Sequence, residues 1–125
     1  MNLILTMILI GNFIVTSYRS VPNQTDKSPF YTSTGERTSP DGIAISQNLL
    51  CSTCLKLHRR CKHLDGDKRI HYGDWLLVED IGLKRVNDVM NKRFTDRMDI
   101  WVATKKEEHN HHKKYKFNKL KVYKV

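Results

Sequence analysis

Two aspartates at the edges of apolar runs are the residues of this sequence most suited to acid–base chemistry. Asp80 follows the run Trp75–Val78, and Asp99 lies in the run Met98–Val102. A carboxylate is a poor strand former and costs free energy to bury, so its place in or beside a strand points to a site. Asp80 and Asp99 therefore form a candidate catalytic pair.

Both aspartates also fit purely structural roles. Asp80 would lie in a turn with Gly82, and Asp99 would pair with a nearby arginine, because charged residues are rarely buried without a partner. A third aspartate, Asp88, falls within the polar and basic segment Leu83–Arg97. We predict that this segment is a loop and that Asp88 is solvated.

A Cys/His-rich stretch from Gln47 to His63 is the second group with chemical potential. Its candidate metal ligands are Cys51, Cys54, His58, Cys61 and His63. Cys51 and Cys54 have the C-x2-C spacing with which two thiolates bind one metal ion. Sulfur and nitrogen ligands of this kind suit a closed, four-coordinate structural zinc site.

The same stretch also has the pattern of an amphipathic helix. Leu50, Cys54, Leu57 and Cys61 recur at helical spacing, and on such a helix the cysteines would pack as small hydrophobic residues. A disulfide would leave an odd thiol among the three cysteines. We favour buried or free thiols, with structural zinc and a disulfide as the alternatives. The histidines of a later cluster, His109, His111 and His112, are predicted to lie at the surface.

The size and the net charge of the chain limit the classes of protein to which it could belong. The 125 residues are enough for one domain with one core. The formal net charge of +9 predicts attraction to a polyanion such as a nucleic acid, an anionic membrane or an anionic cell-wall polymer. Nucleic acid is the weakest of these partners, because the Lys and Arg residues are dispersed and no DNA- or RNA-binding motif is present.

The N-terminal segment Met1–Ile10 is mostly apolar. It lacks the basic start and the small-residue cleavage site of a typical signal peptide, and the apolar run is too short for a bilayer span. We interpret it as a strand or docking segment ahead of the domain. An uncleaved export or anchor signal is the alternative.

Alternating patterns and β-branched residues predict short strands along the rest of the chain. The predicted strands are Asn12–Tyr18, Gly42–Ser46, Asp74–Val78, Met98–Val102 and Leu120–Tyr123, with a short edge segment at Pro29–Ser33. Thr104 followed by Glu107 is a capping-box pattern, which predicts a helix that continues to about Lys114. Six or so short strands with one or two helices favour a small closed barrel.

Several short motifs, in their order, resemble the 3D domain, a double-psi β-barrel named for three aspartates. The motifs are Val15-Thr16-Ser17-Tyr18, Thr32-Ser33-Thr34-Gly35, Gly42-Ile43-Ala44-Ile45-Ser46, His71-Tyr72-Gly73-Asp74, Val78-Glu79-Asp80-Ile81-Gly82, Met98-Asp99-Ile100-Trp101 and Leu120-Lys121-Val122-Tyr123. The resemblance implies a mainly β, six-stranded double-psi barrel over residues 11–125, after an apolar segment at 1–10. The Cys/His-rich segment at 47–67 fits it least well.

The 3D domain occurs in bacterial and phage cell-wall proteins and in the catalytic barrel of a membrane-bound lytic transglycosylase. The resemblance therefore implies chemistry on peptidoglycan, in the periplasm, at the cell surface or on a phage particle. Asp99 matches the single acid/base of the family's lytic enzymes, which need no cofactor. Asp80 matches the family's middle aspartate and would orient Asp99 or raise its pKa as a like charge.

Two departures from the family pattern leave the function open. The family's first aspartate falls at Ser46, and the segment before the last aspartate, Leu83–Arg97, is longer, bulkier and more basic. One hypothesis is a lytic transglycosylase-like enzyme that acts on the glycan strands of peptidoglycan. The other is a non-catalytic barrel that binds the wall or joins other virion proteins in a phage particle.

Overall fold

The computed structural model describes residues 6–21, 30–51 and 66–125, and this part of the chain is mainly β. The strands are β1 (Ile8–Tyr18), β2 (Gly42–Ile45), β3 (Trp75–Val78), β4 (Gly82–Val89), β5 (Arg97–Trp101) and β6 (Lys119–Lys124). The helix α1 (Lys105–Tyr115) connects β5 to β6, and a 3₁₀ turn at Gly66–Lys68 precedes β3.

The strands close into a barrel in the order β1-β5-β2-β4-β3-β6. The pairs β1/β5 and β2/β4 are parallel, and the other neighbours are antiparallel. Exchanging β1 with β4, β2 with β5 and β3 with β6 reproduces the same order and the same directions. The barrel thus has two topologically equivalent halves, although the sequence contains no visible repeat. The small six-stranded barrel predicted from the sequence is confirmed.

Aliphatic side chains fill the barrel interior. Its fully buried residues include Val15, Ile43, Ile45, Leu76, Val78, Val86, Met98 and Val122. Because successive residues of a strand point to opposite sides, Asp99, between the buried Met98 and Ile100, lies on the outer wall of the barrel. The candidate acid is therefore accessible from outside the barrel.

The capping box predicted at the start of α1 is confirmed. Thr104 Oγ1 accepts a hydrogen bond from the backbone N–H of Glu107 at 3.1 Å. The carboxylate of Glu107 in turn accepts a bond from the N–H of Ala103 at 3.0 Å. The Thr104 hydroxyl pairs one N–H that a helix start leaves unpaired, and Glu107 bonds the residue before the N-cap in place of the N-cap itself.

The helix α1 docks on β1 through His111. This side chain is buried, and its Nε2 donates a 2.7 Å hydrogen bond to the carbonyl of Val15. The surface prediction is therefore wrong for His111, although His109 and His112 are exposed. The helix has no aliphatic stripe, so an imidazole and the ring of Tyr115 supply the packing instead.

The strand β4 is missed by the sequence prediction, which makes Leu83–Arg97 a loop. A β-bulge explains the failure, because β2 pairs with β4 as Ile43 with Val86 and then as Ala44 with Asp88. The extra residue, Asn87, breaks the alternation of apolar and polar side chains by which a strand is recognised. Without this bulge, Asp88 would point to the same side as the buried Val86.

Two further predictions need correction at their boundaries. Residues 47–51 form turns and one isolated bridge, Leu50 with Ile70, so the helix predicted from Gln47 is absent there. The rest of that stretch, residues 52–65, lies outside the described residues. The strand β1 begins at Ile8, so the boundary predicted after Ile10 falls inside it. Within the described ranges, the helical segments are too short or too polar to cross a bilayer.

Candidate functional site

A lateral row of four residues crosses the outer wall of the barrel. Asp99 on β5 is in register with Thr16 on β1 and with Ala44 on β2, and Ala44 is in register with Asp88 on β4. Neighbouring strands are about 4.8 Å apart, so the backbones of Asp88 and Asp99 are roughly 10 Å apart. Ala44 lies between them in the row, and its side chain is buried in a cluster with Tyr18 and Met90.

Asp99 has the environment of an acid that keeps its proton near neutral pH. It is partly buried, and Thr16 Oγ1 donates a 2.9 Å hydrogen bond to its Oδ1. Burial raises the pKa of Asp99 to about 7, helped by the charges of Asp88 and Glu108 and opposed by the Thr16 hydrogen bond. A carboxyl group with this pKa exchanges its proton readily at neutral pH. No pattern in the sequence points to Thr16 or Glu108, since only the fold brings them to Asp99.

Asp88 accepts several hydrogen bonds from protein groups on this wall. The prediction that it is a solvated loop residue is therefore wrong. Its Oδ1 accepts hydrogen bonds from the N–H and hydroxyl of Ser33 and from the N–H of Val89. Its Oδ2 lies 3.5 Å from the hydroxyl of Tyr18. The bulge at Asn87 turns Asp88 toward Asp99, an effect that strand periodicity does not reveal.

A small apolar cluster borders the row of aspartates. It consists of Tyr18, Ala44 and Met90, with Phe94 and Trp101 packed against them. Burial, together with the charges of Asp88 and Asp99, raises the pKa of Tyr18 well above its usual range. The Tyr18 hydroxyl therefore stays protonated beside the two carboxylates. The Trp101 indole N–H is held by Ser20 Oγ at 2.9 Å.

Asp80, the predicted partner of Asp99, lies elsewhere. It occupies the turn between β3 and β4 with a φ of 67°, followed by Gly82 at 117°, so the predicted turn with Gly82 is confirmed. Its side chain, 57% exposed, pairs with Lys114 Nζ at 3.1 Å and accepts a hydrogen bond from the Tyr115 hydroxyl at 3.0 Å. These contacts hold the pKa of Asp80 below its usual range. The charges of Asp88 and Glu108 therefore act on Asp99, whereas Asp80 contacts side chains of α1.

A cleft of about 450 Å³ opens between β1 and α1 next to the row. Its lining residues are Thr16, Ser17, Lys105, Glu108, His109, His111, His112 and Lys116. Thr16 thus contacts both the cleft and Asp99. Glu108 Oε1 pairs with Arg19 Nε at 3.3 Å, whereas its Oε2 is buried and has no hydrogen-bond partner in the described part of the chain.

Ser46, where the resemblance places the first aspartate, has a structural role. It is fully buried, its Oγ donates to the carbonyl of Arg97 at 3.0 Å, and it accepts from the N–H of Arg97 at 2.9 Å. These bonds fix the end of β2 to the start of β5, two residues before Asp99. The hydroxyl therefore anchors the strand that carries the candidate acid.

Cys51, the first of the predicted zinc ligands, is buried and disulfide-bonded. A disulfide sulfur is not a thiolate, so Cys51 does not fit a zinc site in this state. The other predicted ligands, Cys54, His58, Cys61 and His63, lie outside the described residues. In the ranges that the structure describes, no group of three or more His, Cys, Asp or Glu residues could hold a metal ion.

No protein-family model matches this sequence, and no curated protein matches it. Membership of the 3D family therefore stays a prediction from the motifs.

Proposed function

We propose that this protein is a lytic transglycosylase-like enzyme that cleaves the glycan strands of peptidoglycan, with Asp99 as the single acid/base. The observation that carries the proposal is the state of Asp99: a partly buried carboxyl group with a pKa of about 7 on the outer wall of a barrel. The barrel interior is packed, whereas Thr16, which bonds Asp99 on the outer wall, lines an open cleft.

In this proposal the protonated Asp99 gives its proton to the glycosidic oxygen, and the bond from the muramyl C1 to that oxygen breaks. The Asp99 carboxylate then takes the proton of the muramyl 6-hydroxyl. The 6-oxygen bonds to C1 and closes a 1,6-anhydro ring. Asp99 ends protonated as it began, so no water, metal or cofactor is consumed. Its pKa suits both steps, because neither protonation state is strongly disfavoured near pH 7.

The hydrogen bonds of Asp88 also favour a mechanism with a single acid/base. A glycoside hydrolase needs a second carboxylate that attacks the sugar or activates water. Asp88 is the candidate in the same strand row, but its Oδ1 accepts three hydrogen bonds and Tyr18 lies against its Oδ2. Asp88 is therefore better suited to raising the pKa of Asp99 as a like charge than to acting as a base.

The proposal places the protein outside the cytoplasm or on a phage particle, where peptidoglycan is accessible. The disulfide at Cys51 supports this, because disulfides persist in oxidising compartments. The net charge of +9 favours approach to an anionic wall polymer.

The test is mass spectrometry of the soluble products released from purified peptidoglycan. We expect anhydro-muropeptides from the wild type and from Asp80→Asn, and none from Asp99→Asn. Asp80→Asn is the matched control, because it removes the same charge at a site away from the candidate acid. Release by folded Asp99→Asn at the wild-type rate would remove Asp99 from the mechanism, and no release by the folded wild type would reject the enzymatic function.

The second candidate function is a non-catalytic barrel that binds the wall or takes part in a phage particle. The observation that favours it is the concentration of exposed lysines on and around α1, namely Lys105, Lys106, Lys113, Lys114, Lys116, Lys119 and Lys121. Such a surface attracts anionic polymers through screened charge interactions. Cosedimentation with purified walls that weakens steeply with salt, in the absence of any product, would support this function.

A further inference from the structure

The cleft between β1 and α1 adjoins the proposed site, and nothing in the reaction at Asp99 uses it. Thr16 connects the two, because it lines the cleft and donates a hydrogen bond to Asp99. A group attached to the reacting sugar would therefore reach the cleft when the glycosidic bond lies at Asp99. Any role of the cleft in substrate recognition rests on the proposed function.

The ends of the cleft are cationic. Lys105 at the start of α1 and Lys116 just after its end both line the cleft and are exposed. The acid between them, Glu108, is already paired with Arg19. Lys116 follows Lys105 by eleven positions, which corresponds to a rise of about 16 Å along a helix axis. An extended peptide of four to five residues spans about the same length.

Polar side chains line the middle of the cleft. Glu108 contributes a carboxylate whose Oε1 pairs with Arg19. The exposed imidazoles of His109 and His112 add polar groups to the same wall of the cleft.

We propose that this cleft binds the acidic stem peptide carried by the muramyl residue, with Lys105 and Lys116 contacting its carboxylates. An extended peptide suits the cleft, because its carboxylates lie along a length comparable to the distance between the two lysines. The cleft then selects peptide-bearing glycan over bare glycan.

The experiment measures the affinity of the full chain for two ligands by calorimetry. One is the anhydro-disaccharide that carries a tetrapeptide, and the other is the same disaccharide without the peptide. Neither contains a glycosidic bond from the muramyl C1 to a further sugar, which is the bond that the proposed reaction breaks, so turnover does not interfere. The variants are Lys105→Gln/Lys116→Gln and the matched control Lys106→Gln/Lys113→Gln, which removes the same charge from residues of α1 outside the cleft.

We expect the wild type and the control to bind the peptide-bearing ligand roughly tenfold more tightly than the bare disaccharide. Lys105→Gln/Lys116→Gln should lose most of this preference. Equal affinity of the wild type for the two ligands would overturn the proposal, as would equal losses in the two double variants.

These outcomes are separate from those of the cleavage test. Anhydro-muropeptide release together with equal affinity for the two ligands would reject the role of the cleft and leave the enzyme intact. Peptide-dependent binding that needs Lys105 and Lys116, without any release, would reject the enzyme and keep the cleft as a recognition site.

Discussion

Asp88 and Asp99 lie on the same outer wall of the barrel, one on each side of Ala44, in a single row of strand register. The bulge at Asn87 is the cause, because it turns Asp88 away from the side on which Val86 is buried. The charge of Asp88 then helps to raise the pKa of Asp99. The pKa of Asp99 on β5 thus depends on a residue of β4, a strand that does not pair directly with β5.

Replacing Asp88 with Asn should lower the pKa of Asp99. The substitution removes a negative charge near Asp99, and the Asn carbonyl can still accept the bonds from Ser33 and Val89. The measurement is NMR titration of the Asp99 side-chain carboxyl carbon in wild type and variant. If Asp99 is the acid, the alkaline limb of the pH–activity profile should move to lower pH by the same amount. An unchanged Asp99 titration in a folded variant would contradict the coupling.

Replacing Thr16 with Val should shift the pKa of Asp99 in the opposite direction. The Thr16 hydroxyl donates to Asp99 Oδ1 at 2.9 Å, and this bond favours the ionised form. Val keeps the shape of the side chain but removes the donor, so the pKa of Asp99 should rise above about 7. Thr16→Ser keeps the hydroxyl and is the matched control. Equal titration of Asp99 in the Val and Ser variants would show that the hydrogen bond has no influence.

Replacing Asp99 with Asn should stabilise the protein at alkaline pH. The pKa of Asp99 is about 7 in the folded state against 3.8 ordinarily, so between these values the folded state binds more protons than the unfolded state. The free energy of unfolding therefore falls as pH rises from about 4 to about 7. Asn carries no charge and can still accept the Thr16 bond.

Urea denaturation at several pH values tests this expectation. The variant should exceed the wild type by on the order of 2 kcal/mol at pH 8 and match it near pH 4. The matched control is Asp80→Asn, whose exposed side chain has a lowered pKa, so it should not gain stability at pH 8. Destabilisation of Asp99→Asn at pH 8 would show that the ionised form of Asp99 does not destabilise the folded state.

Most of the barrel could be predicted from the sequence because four of its strands are short runs that are either apolar, as in β2 and β3, or alternating, as in β5 and β6. The predicted and observed bounds of β2, β3, β5 and β6 agree to within one or two residues, and the capping box marks the start of α1. The strand β4 could not be found in this way, because its bulge shifts the pattern in mid-strand and the adjacent Lys84 and Arg85 interrupt its apolar residues. The twofold topology could not be predicted either, because equivalent strands have the same pairing pattern but different amino-acid sequences.

The candidate site could be predicted only in part. Asp99 stands out because a carboxylate next to buried aliphatic residues is unusual, and it is partly buried as that argument requires. The structure pairs Asp80 with Lys114 and Tyr115 of α1, a contact that its place beside a strand end does not reveal. Thr16 and Glu108 belong to distant segments, so only the closed barrel and the docked helix bring them to Asp99.

The disulfide at Cys51 predicts one free thiol in the purified protein, since the chain has three cysteines. Thiol titration of the unfolded, unreduced protein should count one thiol per chain, and reduction should count three. Intact-mass measurement under native conditions should show no bound zinc. Three thiols before reduction, together with one zinc ion per chain, would instead support the zinc site predicted for Cys51, Cys54, His58, Cys61 and His63.

Replacing His111 with Ala should detach α1 from the barrel. The imidazole donates to the carbonyl of Val15 at 2.7 Å and packs on the ring of Tyr115, with centroids 4.8 Å apart. Losing the donor and the packing should cost about 2–4 kcal/mol in free energy of unfolding. The matched control is His112→Ala in the next position, which is exposed and should change stability by about 0.5 kcal/mol or less.

The pH dependence of this loss identifies the group responsible. Burial lowers the pKa of His111, so below about pH 6.5 the unfolded state binds the extra proton first and the stabilisation by His111 declines. Asp99 acts with the opposite sign over part of the same range, so the useful quantity is the difference between wild type and His111→Ala. That difference should be greatest above pH 7 and should shrink on acidification. A difference independent of pH would show that neutral His111 is not what holds α1 on β1.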